Sequence, residues 1–129
     1  MMQIVISNTS DKPIYQQLVD QITAQILKGE LKSDQGLPPI RTVAKELRIS
    51  IITVKKAWEQ LERSGFIYTV VGRGSFVANL PDESLLSKRD TLVTEKMRKD
   101  IAYYREMGLT LEEIVLAVES VYRGDPGDS

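Results

Sequence analysis

The sequence predicts a mainly α-helical fold that carries one small β-hairpin, and three observations predict it. Apolar residues recur at helical spacing in five separate stretches of the 129-residue chain. Two short runs rich in β-branched and aromatic residues, Phe66 to Val71 and Ser75 to Val77, flank Gly72-Arg73-Gly74. Leu80-Pro81-Asp82 then separates a longer first part from a shorter second one.

Taken in order, Met2 to Ile6 is a short apolar stretch that suits either a strand or an ordered arm. Ser10-Asp11-Lys12-Pro13 offers cap residues and a proline near a first helical turn. Ile14, Leu18, Ile22 and Ile26 recur every fourth residue, flanked by Tyr15, Val19 and Leu27, and make one apolar helix face that Gly29 closes. Leu31 to Leu37 is a turn-rich connector. Pro38 and Pro39 precede a shorter helix with Ile40, Val43, Ala44 and Leu47 inward, since proline in a first turn gives up an N–H that has no partner there. Arg48-Ile49 is a tight connection. Ser50 caps a third helix that runs to about Ser64 and stops at Gly65. At ~100° per residue, Val54, Ala57, Trp58 and Leu61 share its inner face and Ile51 lies at the edge. Ile52, Lys56, Glu59 and Arg63 look out, with Lys55 and Thr53 on the flanks.

After the hairpin, Leu86, Val93, Met97, Ile101 and Tyr104 mark a long helix closed by Gly108. Thr110 and Glu113 have capping-box spacing, and the helix they start carries Leu111, Ile114, Val115, Val118, Val121 and Tyr122. Residues 124–129 read as a disordered tail. Two helices cannot enclose a core, so this pair either folds back on the first eighty residues or meets a second copy. Pairing is favoured, because a two-fold dimer is the commonest way to cover such surface. The expected interface residues are Leu86, Val93, Met97, Ile101, Tyr104, Ile114, Val118 and Val121. The organisation is then 1–79, 80–123 as a two-helix dimerisation segment, and the tail.

Composition narrows the function. The chain has no Cys and no His, which excludes disulfides, thiolate or imidazole metal sites, and Cys-His or Ser-His nucleophile pairs. No catalytic residue, metal or cofactor is expected. No apolar run approaches the ~20 residues of a membrane span, and the N-terminus lacks a signal-peptide pattern, so a cytoplasmic protein is expected. The net charge of −1 conceals an asymmetry: +3 up to Leu80 and −4 beyond it, with +4 between Arg41 and Arg73. A polyanion partner for the first part would explain this, and so would ordinary solvated surface.

A short helix, a tight turn and a helix with a polar, basic outer face form a helix-turn-helix pattern, whose second helix enters the DNA major groove. Base edges and phosphates need donors at that helix's start. Ser50, Ile52, Thr53, Lys55 and Lys56 occupy its first exposed turns, and Arg41 opens the preceding helix. The Gly72-Arg73-Gly74 tip would carry one cation on a thin backbone, suited to a minor groove where arginine meets concentrated negative potential. A winged-helix adaptor that binds proteins instead of DNA is the alternative, and an enzyme is a distant third.

Leu37-Pro38-Pro39-Ile40-Arg41-Thr42-Val43-Ala44, then Ser50 through Glu62, then Gly65-Phe66-Ile67 and Gly72-Arg73-Gly74-Ser75-Phe76-Val77, resemble the winged helix-turn-helix of GntR-type bacterial transcription regulators. Pro13-Ile14-Tyr15 fits as well, and the resemblance spans about residues 10–79. The short C-terminal part is similar to the YtrA subfamily, which lacks large effector domains. The resemblance implies DNA contacts at Arg41, Ser50, Thr53, Lys55, Gly72 and Arg73, with Gly74 beside them as a further candidate, and two-fold symmetry would then require a double-stranded, pseudo-palindromic operator. The resemblance further implies a dimeric repressor, often of a transporter operon. With about fifty residues after the hairpin, one subunit has no room for a large enclosed effector pocket, although a small-molecule effector at a dimer interface stays open.

Three departures from the family pattern bear on specificity. Pro39 stands where the family usually has Ser. Lys55 replaces the Arg of some relatives, which weakens bidentate guanine reading. Ile51 and Ile52 fill a usually polar stretch, which speaks against hydrogen-bond reading there. Ile52 either packs on thymine methyl groups or meets a neighbouring protein surface.

Overall fold

Among the described residues, 2–124 of the computed structural model, seven elements follow one another. They are α1 (Ile14–Leu27), α2 (Ile40–Leu47), α3 (Ile51–Arg63), β1 (Ile67–Val70), β2 (Gly74–Val77), α4 (Asp82–Glu106) and α5 (Leu111–Tyr122). The mainly helical class with one hairpin is therefore observed. Two compact units divide the chain, Met1–Leu86 and Ser87–Ser129, and the division falls inside α4. Of the expected tail, residues 125–129 lie outside the described residues.

The fourfold spacing in α1 buries Leu18, Ile22 and Ile26, joined by Val19. They face Val54, Ala57, Trp58 and Leu61 of α3, with Val43 and Ala44 of α2 and Phe66, Ile67 and Val77 of the hairpin completing one core. Each such side chain fully buried contributes about 1.5–3 kcal/mol relative to exposure. That core fixes which face of α3 remains outside.

The first residues form an arm, with no strand assigned. Gln17, Gln21 and Gln25 sit one turn apart on α1 and bind its backbone at alternate residues. The Gln21 amide accepts from the Val5 N–H at 2.9 Å and donates to the Val5 carbonyl at 2.6 Å. Gln17 does the same for Ser7 at 2.8 and 2.9 Å, and Gln25 donates to the Gln3 carbonyl at 2.7 Å. Four residues of helix rise about as far as two of extended chain, so the two periods match. Met2, Ile4 and Ile6 consequently point toward the core.

The cap expected at Ser10 or Asp11 is not formed. Pro13 itself is the N-cap of α1 and has no side-chain cap bond, while the Ser10 hydroxyl accepts from the Lys12 N–H within its own turn. The connector before α2 also carries more order than its turn-rich sequence predicts. Asp34 donates its N–H to the Val77 carbonyl, Val77 to Gln35 and Leu37 to Ser75, at 2.8–2.9 Å, so the connector lies along β2 as a third edge.

In the second unit, α5 starts with the expected capping box: Glu113 N–H donates to the Thr110 hydroxyl at 3.2 Å, and Thr110 N–H to the Glu113 carboxylate at 2.9 Å. α4 buries no residue, and Ile114 is the one buried side chain described in this unit, 8% exposed. Leu92, Val93, Met97, Ile101, Tyr104 and Val118 line an open apolar groove beside it. No helix among the described residues is long and apolar enough to cross a membrane.

Candidate nucleic-acid interface

The α2–α3 connection turns within three residues because Arg48 adopts the left-handed region, φ 56°, unusual for a residue with a Cβ. Sequence pattern marks the turn but not which residue bears that conformation. The Ile49 N–H then donates to the Ala44 carbonyl at 3.0 Å. Ser50 caps α3 as expected: its hydroxyl accepts from the Thr53 N–H at 3.0 Å and lies 2.7 Å from the Thr53 hydroxyl. These two predicted contact residues thus hold each other, and Thr53 is half-buried. Their free capacity toward a ligand is one hydroxyl pair on the first turn of α3.

The inner face of α3 is the predicted one, with Trp58 4% exposed. Outside, Ile52 is 78% exposed, and Lys55, Lys56 and, on α2, Arg41 are exposed. Arg41 and Lys55 have no acidic partner among the described residues, so their charge is available. Lys56 differs. Its ammonium sits 4.0 Å from the ring centroid of Tyr15, the second residue of α1.

The hairpin pairs Ile67 with Val77, Tyr68 with Phe76, Thr69 with Ser75 and Val70 with Gly74. Tyr68 stacks on Phe76 at 5.4 Å, and the Thr69 and Ser75 hydroxyls lie 2.9 Å apart. The Tyr68 hydroxyl donates to the Asp34 carboxylate at 2.9 Å, and that bond raises the phenol above its ordinary pKa. Gly36 bridges to Phe76 and lies against its ring, where a Cβ would sit at an ordinary contact distance of 3.6 Å. Such contacts stiffen a two-stranded ribbon that alone would be marginal.

The tip is shifted by one residue from the sequence reading. Arg73 N–H closes the turn on the Val70 carbonyl at 2.9 Å, so Val71 and Gly72 are its centre and Arg73 follows it. Gly72, φ +80°, takes the position where such a turn requires positive φ. Arg73 and Gly74 are exposed, and Arg73 has no acidic partner among the described residues. Val71, passed over in the sequence because it continues an apolar run, is 98% exposed beside Arg73. Tyr15 packs at the flank of the core as its spacing predicts, and nothing in that spacing announces the Lys56 contact.

All the residues predicted to touch DNA lie in the first unit, as does Leu86, which is exposed. In the second, Val93, Met97, Val118 and Val121 are exposed, Ile101 and Tyr104 half-buried, and Ile114 covered by its own chain. Leu92, Tyr103, Leu111, Val115 and Leu116 add exposed apolar surface that the predicted set omits.

Residues 14–77 match the model of the gntR family of bacterial regulatory proteins. The HTH-type transcriptional repressor YtrA of Bacillus subtilis is 32% identical over 111 residues, 86% of this chain and 85% of that protein. A GntR family transcriptional regulator from Listeria monocytogenes matches with a TM-score of 0.73 at 25% identity, over 86% of this chain and 96% of that one. The AraR DNA-binding domain, solved in complex with operator ORX1, matches with a TM-score of 0.53 at 28% identity, over 60% of this chain and 96% of that one.

Proposed function

Since the chain belongs to the gntR family of bacterial regulatory proteins, in its YtrA-like subfamily, and is a DNA-binding transcriptional regulator and not an enzyme, we propose that it acts as a dimeric repressor on a pseudo-palindromic operator. The observation that carries this reading is the unpaired basic surface at the start of α3. There Lys55 on α3 and Arg41 on α2 face solvent, and the opposite side of α3 is packed.

In this reading residues 1–79 bind DNA and 80–123 dimerise. The first turns of α3 enter a major groove, where Ser50, Thr53 and Lys55 meet phosphates and base edges, and Ile52 packs on thymine methyl groups. Arg73, flanked by Gly72 and Gly74, enters the adjoining minor groove. The exposed faces of α4 and α5 cover each other across a two-fold axis, which sets the half-site spacing. The subfamily resemblance extends the proposal to a transporter operon as target and to the cytoplasm as location.

The test is a titration of the full chain with duplexes selected from a random library, at two salt concentrations. Affinity falls steeply with salt, and Lys55→Ala and Arg73→Ala each weaken binding without changing the oligomer. Binding by both variants at the wild-type level would overturn the assignment.

A further inference from the structure

We infer that Tyr15 is a positioning residue for DNA binding, acting by holding the Lys56 ammonium ready for a phosphate. This rests on the proposal that the outer face of α3 meets the duplex. Lys55 and Lys56 are consecutive, carry the same charge and are both exposed, yet their surroundings differ. Lys55 has no ion-pair or ring partner among the described residues, so no such contact restrains its side chain. Lys56 has no carboxylate partner either, but its Nζ stands 4.0 Å from the Tyr15 centroid. That is within the range at which a ring face attracts a cation.

The ring is itself held. Tyr15 is half-buried, packs against the core and belongs to α1, the helix most closely packed on α3. A ring fixed by one helix therefore fixes a cation carried by the other. An ammonium has three N–H donors, and contact with a ring occupies one side of it. The donors directed away from Tyr15 remain free for a phosphate oxygen, at a place set before DNA arrives. A lysine restrained in this way loses less rotamer freedom on binding than a free one. Acidic groups do not compete: Glu59, one turn further along α3, forms no ion pair with Lys56.

The experiment is a double-mutant cycle on the full chain, using a duplex selected from a random library by the wild-type protein and read at several salt concentrations. Tyr15→Phe keeps the ring face and binds within about twofold of wild type, whereas Tyr15→Leu binds roughly two- to fivefold more weakly. In a Lys56→Met background Tyr15→Leu costs nothing further. Lys56→Met lowers the salt slope by about 1, while Tyr15→Leu alone leaves it unchanged, because the charge is still present. Additive losses in the double variant would overturn the inference, and so would a Tyr15→Phe protein as weak as Tyr15→Leu. If Lys56→Met binds normally while Lys55→Ala and Arg73→Ala remain impaired, this inference fails and the proposed interface survives. If all three bind normally, both fail. Should Tyr15→Leu not fold, Tyr15→Met takes its place. NMR then gives a second reading: the Lys56 ε-methylene protons are shifted upfield by the ring in wild type and Tyr15→Phe, and unshifted protons would contradict the contact.

Discussion

Residues 2–86 and 87–124 deal with apolar surface in opposite ways. The first stretch buries fifteen hydrophobic side chains in one cluster, drawn from three helices, the hairpin and the connector. The second has comparable apolar content but buries Ile114 alone among the described residues. Fixing a residue's backbone costs about 1–2 kcal/mol, which a segment with a single buried side chain does not recover. The contrast teaches where independence lies: the surface proposed to meet DNA is carried by a part that is complete in itself. We propose that a second copy covers the exposed faces of the α4–α5 segment.

That contrast is broken most sharply by emptying the first core. Leu61→Ala removes a side chain with no solvent exposure and should cost about 2–5 kcal/mol, seen as a large drop in melting temperature. Val118→Asp, at a site already open to solvent, should leave the first unit's melting intact and shift the chain to monomer in sedimentation. Operator affinity then falls by roughly tenfold or more as the two half-sites lose their linkage. A Val118→Asp protein that stays dimeric would remove the proposed interface. Ser50→Ala should cost about 1 kcal/mol of stability through loss of the Thr53 N–H bond, measured by chemical denaturation. Ile52→Ser should scarcely alter stability, and its effect should appear as changed preference at one base pair in a selection from random DNA. An unchanged preference would dismiss the thymine-methyl contact.

Much of the fold was legible because its signals are local or periodic. Fourfold apolar spacing gave α1, the wheel of α3 put Trp58 inside and Ile52 outside, and Ser50 and Thr110 announced their helices by cap chemistry. What escaped was set by contacts between distant residues. The glutamines of α1 look like ordinary polar positions until the arm lies beside them. The connector's pairing with β2 rests on backbone bonds between residues about forty positions apart, and the hairpin tip moved by one residue because the Val70–Gly74 register decides where the ladder ends. Arg48 takes a backbone conformation that sequence pattern assigns to glycine. At the candidate site the cations were identifiable by type, but not the distinction between Lys55, which is free, and Lys56, which rests on Tyr15.

The absence of cysteine allows the central claim to be tested by tethered cleavage. An iron chelate would be attached at Arg73→Cys in one protein and at Lys55→Cys in another, each bound to the same selected duplex. The account predicts cuts with the strand offset of a minor groove from the first and of a major groove from the second, in adjoining turns of one half-site. Cuts from both in the same groove, at protein concentrations that saturate the duplex with each variant, would contradict it.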